Sequence, residues 1–238
     1  MTKTPSIYVV LVEPVGGVNL GLIARLIMNF DAKGLKVVNP KYDETQLEIA
    51  YRFSARAQQV IDNIEVHSSL KDAIKDMDIT FATSAIISDE PIRKHLTPVE
   101  AAELVYRSGY NKVAIVFGRE ATGLTNEEIA MCDLLINIES SSKYRALNIA
   151  NAASIILYNF YIMRKRSRRR PAPRVLRERA VIYFHNLSRV VAKDELYVER
   201  AARAFSNILN RSAPDTKEIR LILGILRRLN IYIENMGV

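Results

Sequence analysis

Cysteine is almost missing from this 238-residue chain. Cys132 stands alone, which excludes an internal disulfide and any zinc site that needs two thiolates from one chain. Histidine is scarce as well. His67, His95 and His185 are scattered without metal-ligand spacing, so no metal site is expected. Long apolar runs are missing too: none approaches the roughly 18 residues that span a bilayer. The short apolar run Ile7–Val12, behind Met1-Thr2-Lys3-Thr4-Pro5, falls below the length of a signal-peptide core. These absences predict a cytoplasmic protein with no membrane segment. A complete phosphate-binding glycine fingerprint is also missing. Gly16-Gly17-Val18-Asn19-Leu20-Gly21 has Val18 where G-x-G-x-x-G needs glycine, and Leu22-Ile23 follow where a P-loop needs lysine and a hydroxyl residue. A nucleotide-dependent oxidoreductase is excluded on that ground.

What the chain does have is apolar mass and lopsided charge. It is 49% hydrophobic, enough for a substantial core but too short for more than two domains of common size. The net charge is +8, and it is concentrated at one end. Residues 164–238 hold 18 Lys+Arg against 7 Asp+Glu, whereas residues 1–163 hold 16 against 19. The densest stretch is Arg164-Lys165-Arg166-Ser167-Arg168-Arg169-Arg170, ending at Pro171. Like charges this close repel one another, so the stretch reads as a linker. Arginine forks match phosphate oxygens, so Arg164, Lys165, Arg166, Arg168, Arg169 and Arg170 are candidate nucleic-acid contacts. A membrane-surface helix is disfavoured because the run carries no large apolar side chain to insert.

Strand-like and helix-like segments alternate before the linker. Ile7–Val12, Leu35–Val38, Ile79–Thr83, Val113–Phe117 and Leu134–Ile138 read as strands. Leu20–Phe30 reads as a helix capped by Asn19, and Asn148–Met163 as a long apolar helix. Thr97-Pro98 and Thr125-Asn126-Glu127-Glu128 open two further helices, the second with a capping box. The alternation predicts an α/β domain over 1–163, a parallel sheet flanked by helices. Residues 164–173 form the basic linker. Residues 174–238 read as a small all-helical domain, with helices near Arg174–Val191, Asp194–Asn210 and Asp215–Tyr232.

Chemistry is expected where a buried strand meets a loop. Ile115-Val116-Phe117 runs into Gly118, whose lack of a Cβ permits a sharp turn, and Glu120 follows at the carboxyl end of the strand. Asn19-x-Gly21-x-x-x-Arg25 places an amide and a guanidinium near the start of the first helix.

The set Pro14…Asn19-Leu20-Gly21…Arg25…Asn29-Phe30, then Val116-Phe117-Gly118-Arg119-Glu120…Gly123-Leu124, then Ile136-Asn137-Ile138…Leu147-Asn148-Ile149-Ala150-Asn151 resembles the three motifs of the SPOUT methyltransferases. Within them it is most similar to the branch that methylates RNA ribose 2′-hydroxyls, and there to the TrmJ group, which acts on tRNA at anticodon-loop position 32. The resemblance covers about residues 5–160. It implies a C-terminal trefoil knot in the α/β domain, S-adenosylmethionine as cofactor, and a homodimer whose active site draws on both chains. It implies catalytic roles for Arg25, Asn19, Glu120 and Asn148. It implies a cofactor pocket at Thr83, Ser84 and Ala85, Gly118, Ile138, and Arg145, Ala146 and Leu147, with Tyr144 near the target base. The family commonly has serines before the Leu-Asn pair, where this chain has Arg145-Ala146; any hydroxyl contact there is absent or falls to Ser140, Ser141 or Ser142. The substrate class is tRNA, with ribosomal RNA as the alternative in the same superfamily. An RNA-binding scaffold without activity is the reading from a different class.

Overall fold

A computed structural model describes residues 4–84, 95–165, 171–192 and 194–236. They fall into two compact units, one up to residue 165 and one from residue 171. No helix among the described residues is long and apolar enough to cross a membrane.

The first unit is a seven-stranded sheet in the order β3-β2-β1-β6-β4-β7-β5, and every pairing is parallel. Its strands are β1 (Ser6–Val12), β2 (Gly34–Val38), β3 (Glu65–His67), β4 (Ile79–Thr83), β5 (His95–Leu96), β6 (Lys112–Phe117) and β7 (Leu134–Ile136). Val9, Val10, Ile115, Val116 and Phe81 are fully buried, as residues of strands covered on both faces must be. The helices that cover them are α1 (Gly17–Asn29), α2 (Glu44–Ser54), α3 (Gln58–Asp62), α4 (Leu70–Ile74), α5 (Pro98–Ser108), α6 (Asn126–Met131) and α7 (Ile149–Ile162). Phe160 of α7 meets Phe81 of β4 edge to face, with ring centroids 6.2 Å apart. At the far edge of α1, Phe30 lies 6.0 Å from the rings of both Tyr158 and Tyr161.

One expectation fails at α1. Asn19 is not its cap: the helix begins at Gly17, and Gly16 occupies the cap position without a side-chain bond. The reason lies outside the helix. Gln46 of α2 accepts the Gly17 N–H at 2.8 Å, and Glu120 accepts the Gly16 N–H at 3.3 Å. Partners from elsewhere satisfy the first free amides, which leaves the Asn19 amide for other work. The glycine-rich stretch is a close crossing of two helices. A Cβ on Gly17 would lie 1.9 Å from the Gln46 carbonyl oxygen, and one on Gly21 would lie 2.4 Å from that of Ala50.

Other boundaries agree closely with expectation. Thr97 and Glu100 form a capping box at α5, as do Thr125 and Glu128 at α6. Asn148 caps α7 by accepting the Ala150 N–H at 2.9 Å. β7 ends two residues early, at Ile136. Beyond it, buried Asn137 donates its side-chain amide to the Ser84 carbonyl at 2.8 Å, and its own N–H goes to Leu96 at 3.0 Å.

The second unit is a bundle of α8 (Arg174–Val191), α9 (Glu195–Ser212) and α10 (Thr216–Met236). Asp194 caps α9, and Asp215 accepts the N–H groups of Lys217 and Glu218 at the start of α10. Ala172, Ala180, Leu209 and Ile219 form its small core. Phe184 and Phe205 stack beside it at 4.4 Å.

Candidate active site

The strand order puts the carboxyl ends of β1, β6, β4 and β7 side by side. Ligands of open α/β sheets bind beyond strand ends of this kind. The loop after β4 carries Thr83 and Ser84, the loop after β6 carries Gly118 to Glu120, and the segment after β7 carries Ile138 to Asn148. Thr83 Oγ1 donates to the Val116 carbonyl at 3.0 Å, and the Ser84 N–H donates to that of Ile136 at 3.1 Å. These bonds tie the β4 loop to both neighbouring strands.

Three residues widely separated in sequence meet here. Asn148 Nδ2 donates to Asn19 Oδ1 at 3.0 Å, and Asn19 Nδ2 donates to Glu120 Oε1 at 3.4 Å. Glu120 sits over the N-terminus of α1, where its negative charge meets the positive end of the helix dipole. One chain of hydrogen bonds therefore joins the first helix, the β6 loop and the cap of α7. Arg25 does not join it. It is exposed and, among the described residues, makes no hydrogen bond or ion pair. It shares an outward face of α1 with Val18, seven residues earlier.

The β6 loop is locked by contacts that sequence reasoning missed. Arg119 and Gly123 exchange backbone hydrogen bonds at 3.1 and 2.9 Å, and Gly123 takes a positive φ of 70°. Gly118 is pressed so close to this turn that a Cβ would lie 2.1 Å from the Gly123 carbonyl carbon. The Arg119 guanidinium grips Glu128 with two bonds of 3.0 Å and reaches Glu13 at 2.7 Å. No role was expected of Arg119 or Glu13, and Glu128 was expected only in the capping box of α6. The available signal was a charged residue directly after a strand-ending glycine, flanked by Glu13 at the end of β1 and the acid of the α6 capping box.

The Arg119 hydrogen bond holds the Glu13 carboxyl below the usual carboxylate range. Burial pushes Glu128 up, but the Arg119 fork and the Thr125 N–H outweigh it and leave it lowered too. Carboxyls with lowered folded-state pKa values contribute stability above their unfolded pKa and lose it as pH falls through the folded one. The loop should thus loosen below about pH 4. Hydrogen exchange at the Arg119 and Gly123 amides is expected to lose protection in that acid window in the natural sequence. The Arg119→Ala variant should show weak protection there at every pH.

The segment Glu139–Asn148 is exposed throughout. Ser140 Oγ donates to the Arg145 carbonyl at 3.2 Å, and Ser141 Oγ accepts the Lys143 N–H at 3.3 Å. Both hydroxyls shape the segment itself. Arg145, Ala146 and Leu147 lie open to solvent, and Tyr144 is 77% exposed, so it is not a packed aromatic. Arg164 is already engaged: it bonds Asp31 at 2.7 Å and the Phe30 carbonyl at 3.2 Å, and its guanidinium lies 4.1 Å from the centre of the Tyr161 ring. Ala85, the Lys165 side chain and Arg166, Arg168, Arg169 and Arg170 lie outside the described residues. The histidines also hold one surprise. His185 comes together with Glu195 and Glu199, a grouping that could hold a metal ion and that sequence spacing did not reveal. In the structure His185 Nε2 lies 3.0 Å from Glu199, and Arg189 bonds Glu195.

In the first unit a parallel sheet brings α1, the β6 loop and the cap of α7 together in one polar cluster. The model of the SpoU rRNA methylase family matches residues 6–158, and the chain belongs to that family. The tRNA (cytidine-2′-O-)-methyltransferase TrmJ of Sulfolobus acidocaldarius is 35% identical over 96% of this chain and 95% of its own length. Among solved structures, TrmJ from Z. mobilis superposes with a TM-score of 0.68 at 24% identity, over 95% of this chain and 99% of that one. The methyltransferase AviRb from Streptomyces viridochromogenes, solved with AdoMet, gives a TM-score of 0.54 at 19% identity, over 71% of this chain and 61% of that one.

Proposed function

We propose that this protein transfers the methyl group of S-adenosylmethionine to a ribose 2′-hydroxyl of tRNA, on cytidine or uridine at anticodon-loop position 32, and does so in the cytoplasm as a homodimer. The observation that carries the reading is the Glu120–Asn19–Asn148 chain, which joins the three sequence motifs at the carboxyl edge of the sheet. The full-length similarity to a tRNA ribose methyltransferase favours tRNA over ribosomal RNA. The reading includes the trefoil knot, a basic linker over 164–173 and an RNA-binding role for the helices beyond it.

The residues present suit the cofactor. Ser84, Gly118 and Ile138 follow three adjacent strands and offer backbone groups with no charged side chain among them. Ile138 and Leu147 can flank an adenine ring, and Thr83 braces the floor. When bound, S-adenosylmethionine supplies an electrophilic methyl on a sulfonium. The chain's task is to present the ribose oxygen in line, within roughly 3–3.5 Å of that carbon. Asn19 and Asn148 are fixed by each other and by Glu120, and they orient the site. Arg25 is a poor base, because a guanidinium carries N–H donors and no acceptor. Its role is to grip the ribose and adjacent phosphate and to stabilise developing alkoxide charge, while the proton leaves to phosphate or water.

The homodimer reading rests on exposed apolar surface. Val18 and Met28 of α1 are 40% exposed, and α7 exposes Ile155, Tyr158 and Ile162. Two packed helices with an outward apolar face call for a cover, and a second copy supplies it. Arg25 lies on the Val18 face and outside its own chain's hydrogen-bond cluster, so we assign it to the partner's site. The chemistry is tested by alkaline hydrolysis of RNA treated with labelled cofactor. A 2′-O-methyl group blocks cleavage at its own phosphodiester, so the label is expected in an alkali-resistant dinucleotide. Label released entirely in mononucleotides would mean base methylation and would overturn the ribose reading.

A further inference from the structure

Within the second unit, α8 and α10 leave a cleft of about 480 Å³ lined by Arg179, Tyr183, Arg220, Leu223, Gly224 and Arg227. Arg179 and Tyr183 are four residues apart on α8, and Arg220, Gly224 and Arg227 repeat at helical spacing on α10, so each set shares one face. Among the described residues no carboxylate lines the cleft. The three guanidinium groups are exposed and make no hydrogen bond or ion pair among the described residues. Other arginines of the same bundle are paired: Arg174 with Glu178, and Arg189 with Glu195. The cleft thus gathers three cations, unpaired among the described residues, around a half-buried tyrosine ring. Gly224 sits within a 21-residue helix, where glycine is disfavoured. Nothing lies within 4 Å of where its Cβ would be, so packing does not require it. Its effect is to keep the cleft open.

We propose that this cleft is an RNA-backbone groove. In it Arg179, Arg220 and Arg227 hold phosphates and Tyr183 offers a face for an unstacked base. Three forked donors without an acid among them suit a polyanion of regular spacing. An aromatic between them suits a nucleic acid rather than a simple anion. The proposal rests on the reading of the protein as an RNA methyltransferase and goes further by locating where the helical unit grips its substrate.

The test measures binding of an unmodified tRNA transcript to the full-length protein across a salt series, together with methylation kinetics. The triple variant Arg179→Ala, Arg220→Ala, Arg227→Ala should weaken binding by roughly ten- to a hundredfold near physiological salt. It should also reduce the slope of log affinity against log salt by about two. KM for tRNA should rise, with kcat at saturating tRNA and cofactor affinity unchanged. A control triple, Arg200→Ala, Lys217→Ala, Arg228→Ala, removes equal charge from exposed positions outside the cleft and should shift both quantities less. Gly224→Phe should weaken binding with no change in charge, by filling the groove. Equal losses from the two triples, or unaltered binding in both the cleft triple and Gly224→Phe, would overturn the groove. If the natural sequence binds tRNA through the cleft but transfers no methyl to it, the groove stands and the enzymatic reading falls.

Discussion

Replacing Arg25 with alanine should remove methyl transfer, by a factor on the order of a thousand, and leave S-adenosylmethionine affinity nearly unchanged. The asymmetry follows from where Arg25 stands. It is exposed on α1, makes no hydrogen bond or ion pair among the described residues, and belongs to none of the β4, β6 and β7 loops that would hold the cofactor. Its loss should neither unfold the protein nor disturb that pocket. Arg25→Lys should recover little, since an ammonium lacks the planar fork that grips ribose and phosphate together. Calorimetry with the cofactor and single-turnover transfer to tRNA would separate the two effects. Wild-type turnover in Arg25→Ala would remove this residue from the mechanism.

The Gly118→Ala substitution should have the opposite signature, with cofactor binding weakened by at least about tenfold and the fold retained. The added methyl would lie 2.1 Å from the Gly123 carbonyl carbon and 2.2 Å from the Leu124 nitrogen. Both are backbone atoms of a turn held by the paired Arg119–Gly123 bonds and by the Arg119 grip on Glu128, so they cannot simply rotate aside. The loop must open, and it carries Glu120 away from Asn19 as it does. Circular dichroism should show the helices and sheet intact, while calorimetry shows the weakened cofactor binding. Unchanged cofactor affinity would mean that the β6 loop does not form the pocket.

The two variants also test each other. If Arg25 serves the partner's site, a chain with Arg25→Ala and one with Gly118→Ala are complementary. The mixed dimer contains one site with both Gly118 and Arg25 intact. Coexpressed at equal levels and assayed at a cofactor concentration too low to fill the Gly118→Ala site, the two chains should regain about a quarter of natural activity, since half the dimers are mixed and each mixed dimer has one complete site. No recovery, with dimers demonstrably formed, would place Arg25 in the site of its own chain.

Much of this frame could be read directly from local chemistry. The β6 strand was legible because Val113–Phe117 is apolar on both faces, and α5 and α6 because Thr97-Pro98 and Thr125–Glu128 carry their capping atoms within four residues. The bundle helices were legible for the same reason, from Asp194 and Asp215 onward. What failed was what depends on distant partners. Asn19 has the right side chain for a cap and the wrong neighbours, because Gln46 and Glu120 already serve the helix start. The edge strands β3 and β5 are three and two residues long, and Glu65-Val66-His67 lacks the apolar run that marks a buried strand. α2, α3 and α4 are short or polar and were not singled out in sequence. Strand order was likewise hidden, because no local pattern says that β6 lies between β1 and β4. The site was legible as residues but not as a network. The motifs named Asn19, Glu120 and Asn148, whereas the Glu13–Arg119–Glu128 brace that holds their loop depends on sequence separations of up to 106 residues.

The most direct test of the central claim is transfer of labelled methyl from S-adenosylmethionine to unmodified tRNA and, separately, to ribosomal RNA, followed by mapping of the modified nucleoside. The account predicts a 2′-O-methylated cytidine or uridine at anticodon-loop position 32 of tRNA. Label in ribosomal RNA alone would contradict the substrate, and no label in either, with no cofactor binding by calorimetry, would contradict the enzyme.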